Sequence, residues 1–502
     1  MSLFLILALG SGLLQAAPSA PRPPHPPAGP ARAPVALSPV RLHLGPMRMP
    51  RMHFNTFRRG SGSGSDSTQV AGLLMALAAT PPAVCDLAVD MLGNGWGWSG
   101  SHGDVSALRD QPVSVSVDRA AFQSGVIDRR AIPLLSSALA RPEPCVRRAA
   151  ARLLGQSGLM EAAVALRDGL TSGDGKVREA AALGLGMLED PAGYQPLMHA
   201  LGDRDPEVVR MAAWALGEYE DQRAVPALVR LLDRSEAGIR RAAAGALGEI
   251  EDPAAVKPLL PILRDREAAV REAAADALGQ IEDPIASSSL VDALDDKDGG
   301  VRIAVVNALG QIEDPKTARP LIEVLRDPSA DLREAAAHAL GGIESREAVP
   351  GLIRALQDQA PGVRSAAASA LGQIEDPAAG EALGRALTDP VLTVRRAAAS
   401  ALGQLDDLHR APPQLLTALR DPDAELRQNA IQALGQIGDP AAIAPLGALL
   451  KDAPVEVRRA AVEALCSIED PAVTPHLVLA MRDLDAEVRR MAAEGLGDRK
   501  DD

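Results

Sequence analysis

Val270-Arg271-Glu272-Ala273-Ala274-Ala275-Asp276-Ala277-Leu278-Gly279-Gln280-Ile281-Glu282-Asp283-Pro284 decides the fold, because close copies of this stretch recur down most of the 502-residue chain. Its Leu-Gly step falls at Gly155, Gly186, Gly217, Gly248, Gly279, Gly310, Gly341, Gly372 and Gly403, a constant spacing of 31 residues. It returns at Gly435 after one extra residue and again at Gly497, with Cys466 in the glycine's place between them. A fixed period of this length belongs to a stack of small units, each burying its apolar face only against its neighbours.

Within one unit the pattern reads as two antiparallel helices. Asp252 and Pro253 open the first as N-cap and first helical residue, and Leu259, Leu260, Ile262 and Leu263 give it an apolar side. Asp265 marks the turn. Val270, Ala273, Ala274, Ala277, Leu278 and Ile281 then fall at i, i+3, i+4, i+7, i+8 and i+11, the period of an amphipathic helix. Gly279 stands near its end, where the missing Cβ permits close packing or an exit turn.

Composition agrees with thin helical layers rather than one deep core: aromatics are 2% of residues. The net charge is −14, yet residues 1–60 hold seven arginines and no acid, so the rest of the chain carries −21. So acidic an array repels nucleic acid and anionic membrane, and its partner is expected to be basic, neutral or apolar.

Residues 1–17, with Leu3 to Leu9 and Leu13-Leu14, read as a secretory signal peptide, too short to span a bilayer comfortably. The n-region lacks a basic residue and the cleavage site lacks a clean A-x-A, so an uncleaved membrane anchor is the alternative. Export places the mature chain in the periplasm or outside the cell, without membrane insertion. Residues 18–65, rich in Pro and then in Gly and Ser, read as a disordered basic linker. Residues 66–93 match the repeat in degenerate form, with Cys85 in the arginine position, and read as an N-terminal cap. Residues 94–128 interrupt the rhythm with Trp96, Trp98 and a short strand-like alternation at 112–117; the two tryptophans fit a binding insertion and a lid over the end of the core equally. Residues 129–502 form the regular array.

The Asp-Pro openings and the Val-Arg-x-Ala-Ala-x-x-Ala-Leu-Gly second helices resemble the short HEAT-like repeats of phycobilin lyase subunits, over about twelve units plus the cap. The resemblance implies an all-α, right-handed solenoid whose second helices line the concave face. It also implies a ladder in which a turn aspartate pairs with a second-helix arginine of the same or the neighbouring unit. The matching pairs here are Asp265/Arg271, Asp296/Arg302, Asp327/Arg333 and so on to Asp483/Arg489, with the rung at Val209 in doubt. The deoxyhypusine hydroxylases, a related helical-repeat family, bind two irons through His-Glu motifs. No His-Glu pair occurs in this chain.

No H-E-x-x-H, C-x-x-C, G-x-S-x-G or Walker loop occurs either, so no catalytic or metal-ligating residue and no cofactor is expected. The carboxylates recur at repeat positions, as caps and ladder partners. Cys85 and Cys145 fall in consecutive units and form a candidate disulfide that would staple the end of the stack; Cys466 is expected to be a buried, inert thiol. On each second helix the core period leaves three positions over: seven before, three before and one after the glycine. In the N-terminal third these include Leu183, Met187, Arg210, Trp214 and Glu218. Tyr194, Trp214 and Tyr219 are the only aromatic residues after Phe122. Aromatic side chains beside an arginine are the types that dominate interfaces. The expected function is therefore a monomeric, non-enzymatic scaffold that binds a protein or peptide through these residues. The bland alternative is that Trp214 fills a gap left where Val209 replaces the ladder arginine. Two other functions stay open: a phycobilin lyase-like subunit, and the sensing or regulatory part of a membrane protease system.

Overall fold

The structure is a computed structural model that describes residues 67–78 and 127–498. The chain divides into two units, 1–61 and 62–502, and all described residues belong to the second. The linker, the two tryptophans at 96 and 98, the strand-like 112–117 segment and Cys85 lie outside the described residues.

From Arg129 onward helix pairs follow one another without a break, and no strand occurs among the described residues. The helices form two rows. Second helices stack on one another in sequence: Gly175–Leu188, Pro206–Glu218, Ala237–Ile250, Ala268–Ile281, Gly299–Ile312, Ala330–Gly342 and Pro361–Ile374 each pack on the next. The first helices lie beside them. At the N-terminal end, the helix Ser67–Ala78 packs on Ile132–Ala138 and Pro144–Gln156, with Val70 and Leu77 buried.

The unit from Asp252 shows why the repeated residues fold this way. The Asp252 carboxylate accepts a hydrogen bond of 2.9 Å from the Ala254 N–H, so the chain enters a 3-10 turn, Pro253–Ala255, before the α-helix Val256–Leu259. Proline at the first position loses no hydrogen bond there. Leu259 and Leu263 are buried, whereas Leu260 and Ile262 are half-buried. In the second helix Val270, Ala274, Ala277, Leu278 and Ile281 are buried as the period requires. Ala275 is also fully buried and Ala273 only partly, because this helix touches its own first helix and both neighbouring second helices. One amphipathic face could not cover three partners, which is why six or more of its positions carry small apolar residues.

Gly279 serves close packing. A Cβ built on it would stand 2.8 Å from Cα of Ala308 in the next second helix, nearer than two carbons can pack without a backbone shift. The exit turn belongs instead to Glu282, which adopts φ 57°, and the same left-handed conformation recurs at Glu189, Glu220, Glu251, Glu313, Glu344, Glu375 and Asp407. Cys466, in the glycine's register, is half-buried rather than buried. Its Sγ is accommodated because Gly495 faces it where the units from Gly186 to Gly435 meet alanine.

Candidate partner-binding face

The ladder joins units, not the two ends of one turn. Arg271 donates from Nε and Nη2 to both carboxylate oxygens of Asp296, at 2.7 Å each. Its Nη1 donates at 2.9 Å to the backbone carbonyl of Asp265, not to that residue's carboxylate. The expected pair Asp265/Arg271 is therefore a side chain to backbone contact, and each true carboxylate partner lies 25 residues ahead of its arginine. Arg178–Asp203, Arg240–Asp265, Arg333–Asp358, Arg364–Asp389 and Arg458–Asp483 repeat the geometry. The cause is local: each turn aspartate caps the chain two residues on, as Asp265 does for the Glu267 N–H at 2.9 Å. This turns its carboxylate toward the preceding unit. The bidentate guanidinium holds Asp265, Asp296 and Asp358 below the usual carboxylate range.

The rung is missing at Arg147, which has Ser172 in the aspartate's place and donates to the Arg141 and Pro142 carbonyls, and also at Val209 and Arg302. At Val209, which is fully buried, the facing turn residue is Arg234, bound to Glu236, so both partners are replaced together. Arg302 keeps its bond to the Asp296 carbonyl at 2.8 Å, but its buried Nε has no partner, although Asp327 caps the Ser329 N–H as the paired aspartates do. The expected pairs Asp296/Arg302 and Asp327/Arg333 are, like Asp265/Arg271, arginine to backbone carbonyl contacts.

A second set of contacts runs along the exposed face of the second helices. All three leftover positions are half-buried or exposed in the units from Glu179 to Gln404, yet the one after the glycine is not free. Gln280, Gln311, Gln373, Gln404 and Gln436 lay their Oε1 over Gly248, Gly279, Gly341, Gly372 and Gly403 of the preceding unit. In the N-terminal third apolar groups take this role. Met187 stands over Gly155, and the Trp214 ring comes within 2.8 Å of the Cβ position of Gly186. Trp214 thus covers a seam while staying partly exposed.

The candidate residues come together on the two adjoining helices Gly175–Leu188 and Pro206–Glu218. Leu183 and Met187 are half-buried beside Trp214. Arg210 donates to Glu207 at 2.8 Å and approaches Glu179 at 3.8 Å. Glu218 is crowded by burial first and then by Glu249, Glu189 and Glu220, which push its carboxyl up to about 7. The two tyrosines do not join this face. Tyr219 donates to the carbonyl of Asp190 at 2.8 Å, satisfying a helix-exit group, and its ring lies 6.1 Å from that of Tyr194. Arg223 covers Tyr194 at 4.7 Å. They clamp the seam between first helices.

One feature escaped the sequence reading. Gly245, in the register of Trp214 on the next helix, has open space where a Cβ would be. Asp276, in the same register one helix further, is pushed up to about 7 by desolvation and by Glu272. The absence of a large side chain at 245 was printed in the sequence, but only a comparison of registers across three units gives it meaning. Cys145 is disulfide-bonded, whereas the Cys466 thiol donates to the Met491 carbonyl at 3.9 Å. Among the described residues, no group of His, Cys, Asp and Glu is arranged to hold a metal ion, and no helix is long and apolar enough to cross a membrane.

No curated protein matches the chain. Among solved structures it is similar to an engineered protein (22% identity, 74% of this chain and 98% of the other, TM-score 0.38). It is also similar to a chain of the CpcE–CpcF complex of phycocyanin lyase from Nostoc sp. PCC7120 (24%, 49% and 93%, TM-score 0.31). A third is a chain of the complex of Kap95p with RanGDP (14%, 86% and 69%, TM-score 0.49). The model of the HEAT repeat family matches residues 106–185, 163–245, 194–268, 235–310, 256–329, 318–403, 389–465 and 412–497. With its helix pairs, Arg–Asp rungs and glycine seams repeating through these same residues, the chain belongs to the HEAT-repeat family.

Proposed function

We propose that this protein is a non-enzymatic scaffold whose second-helix row, the concave face in HEAT-type solenoids, binds a protein or peptide around Leu183, Met187, Arg210, Trp214 and Glu218. The observation that carries this reading is the partly exposed Trp214 at the one seam where an indole takes the place that glutamine holds elsewhere. A glutamine would cover the glycine equally well, so stacking alone does not call for so large an aromatic surface, whereas a partner does. The carboxylates support a non-enzymatic role, because they recur as caps and rung partners from unit to unit. Export through residues 1–17 is part of the same proposal, supported by the Cys145 disulfide, a bond that persists in oxidising compartments. The scaffold works as a monomer.

The test places a photo-crosslinking amino acid at Leu183, and in a separate variant at exposed Lys257 on the first-helix row, in cells that make the full chain. Crosslinks to a defined polypeptide from position 183 and none from 257 are expected; equal yields from both, or crosslinks from 257 alone, refute the assignment of the face. Fractionation with and without residues 1–17 tests export, which fails if both forms reach the same compartment.

A further inference from the structure

We infer that the space above Gly245 is a docking notch for a cationic side chain, arginine or lysine, of an extended partner polypeptide. The inference rests on the scaffold reading and names the chemistry of its partner. Three consecutive second helices build the notch. Pro206–Glu218 contributes Trp214, Ala237–Ile250 contributes Gly245 as the floor, and Ala268–Ile281 contributes Asp276 in the same register. The floor is open, with nothing beyond its own helix backbone and chain neighbours within 4 Å of the Cβ position of Gly245. Trp214 leans away from it, onto Gly186 of the unit before.

One helical turn further along, the rim carries Glu218 and Glu249. In five other units this position is a glutamine folded onto the preceding glycine. Here no side chain from 218 or 249 covers Gly186 or Gly217. The departures from the repeat therefore coincide: two glutamines become glutamates, the variable register three residues before the glycine carries its one tryptophan, and the residue between Trp214 and Asp276 is reduced to glycine. The other wall of the rim, one turn toward the helix N-termini, has Arg210, Arg241 and Glu272. Arg210 is already paired within the protein.

Electrostatics give the notch its sign. These carboxylates crowd the C-terminal ends of helices whose last turns contain no basic residue, where the helix dipole is itself negative. Burial and then Glu249, Glu189 and Glu220 push Glu218 toward neutrality, and desolvation and Glu272 do the same to Asp276. Nothing in the fold compensates Glu218, so a cation arriving with its own charge relieves the repulsion. A glycine floor suits a long, thin side chain with a charged tip better than a bulky one.

The experiment uses the full chain with Trp96→Phe and Trp98→Phe, so that Trp214 is the sole indole emitter. The probe is acetyl-Gly-Arg-Gly-Arg-Gly-amide, with the peptide carrying Glu in place of Arg as control. Expected is a saturable change in Trp214 emission with the arginine peptide alone, weakened as salt rises. Glu218→Gln/Glu249→Gln and, separately, Gly245→Leu each lower the affinity at least tenfold. Neither variant melts below the parent, since glutamine is the residue other units hold there and a side chain at 245 enters open space. Equal binding of the glutamate peptide, or unchanged affinity in both variants, overturns the inference. If the crosslinks from position 183 persist when the notch fails, the scaffold reading stands and only the partner's chemistry is wrong; if both fail, both fall.

Discussion

Asp296 and Asp327 occupy the same place in successive units, and their unequal partners make a sharp test of the ladder. Asp296 receives both forks of Arg271, whose side chain is 5% exposed against 12% for its own. Asp327 receives none from Arg302. Each also caps a backbone N–H two residues on, at 2.8 and 2.7 Å, and asparagine preserves that bond in both. Asp296→Asn therefore isolates the loss of charge opposite a buried guanidinium, which costs about 2–3 kcal/mol. Asp327→Asn removes no rung and costs about 0.5 kcal/mol or less. Because each unit touches only its neighbours, the damage stays local, so the assay is hydrogen exchange of the amides in Ala268–Ile281 and Gly299–Ile312. Exchange there speeds up roughly 30- to 150-fold in Asp296→Asn, and hardly changes in Asp327→Asn. The Asp296 carboxyl is held low in the fold by Arg271. Its stabilisation is thus present above the ordinary aspartate range and is lost as pH falls through the lower folded value, so the gap between the variants closes in acid. Equal acceleration in the two variants at neutral pH would falsify the inter-unit ladder.

Gly279→Ala pushes a methyl to 2.8 Å from backbone Cα of Ala308 and is expected to cost about 1–3 kcal/mol. Gly245→Ala meets nothing and is expected to stabilise by about 0.5–1 kcal/mol; urea melts of the pair check the contrast. Gly342→Gln supplies the side chain missing over Gly310, where the Cβ meets only ordinary contacts at 3.4 and 3.9 Å. It should raise the stability of that seam by about 1 kcal/mol, read as slower exchange in Ala330–Gly342. Glu218 has a folded value raised to about 7, so it favours the fold below the ordinary glutamate range and opposes it as pH climbs to neutrality and beyond. Glu218→Gln is accordingly expected to stabilise by about 1 kcal/mol at pH 8, after allowance for partial exposure, and to be neutral at pH 4; the same melts at both pH values decide it.

The period made the helices, their caps and the stacking axis legible, because a residue repeated in every unit reports the geometry that every unit shares. Asp252 and Pro253 could be assigned to a helix entry without coordinates. The direction of the rung could not. Arg271 has Asp265 six residues behind and Asp296 twenty-five ahead, and sequence distance favours the first, while the capping bond at Glu267 turns the nearer carboxylate away. The same limit hid the role of Gln280. Helical period marks it as left over from its own unit's core, but it is consumed by the neighbour's glycine, a contact no single-helix pattern contains. Trp214 was visible as an oddity; that its ring turns onto Gly186 and leaves Gly245 open depended on the packing of three helices.

A repeat constrains each position twice, once by its own helix pair and once by the next, so a functional site has room only where a neighbour's demand is lifted. At Gly186 the demand for a covering glutamine is met by an indole, and the Arg178–Asp203 rung of that seam is kept; at Gly217 the demand is dropped, and this is the seam of Val209 and Arg234, where the rung is also absent. The stack gives up two inter-unit contacts at that place. Elsewhere, at Arg302, a lost rung coincides with Gly342 and leaves only a looser joint. What separates the two is what fills the vacated positions: a glycine at 342, against Trp214, Glu218 and Glu249 here. A mere relaxation of packing accounts for the first. The second adds an aromatic surface and crowded carboxylates that raise the energy of the unbound array, and a cationic partner lowers it again.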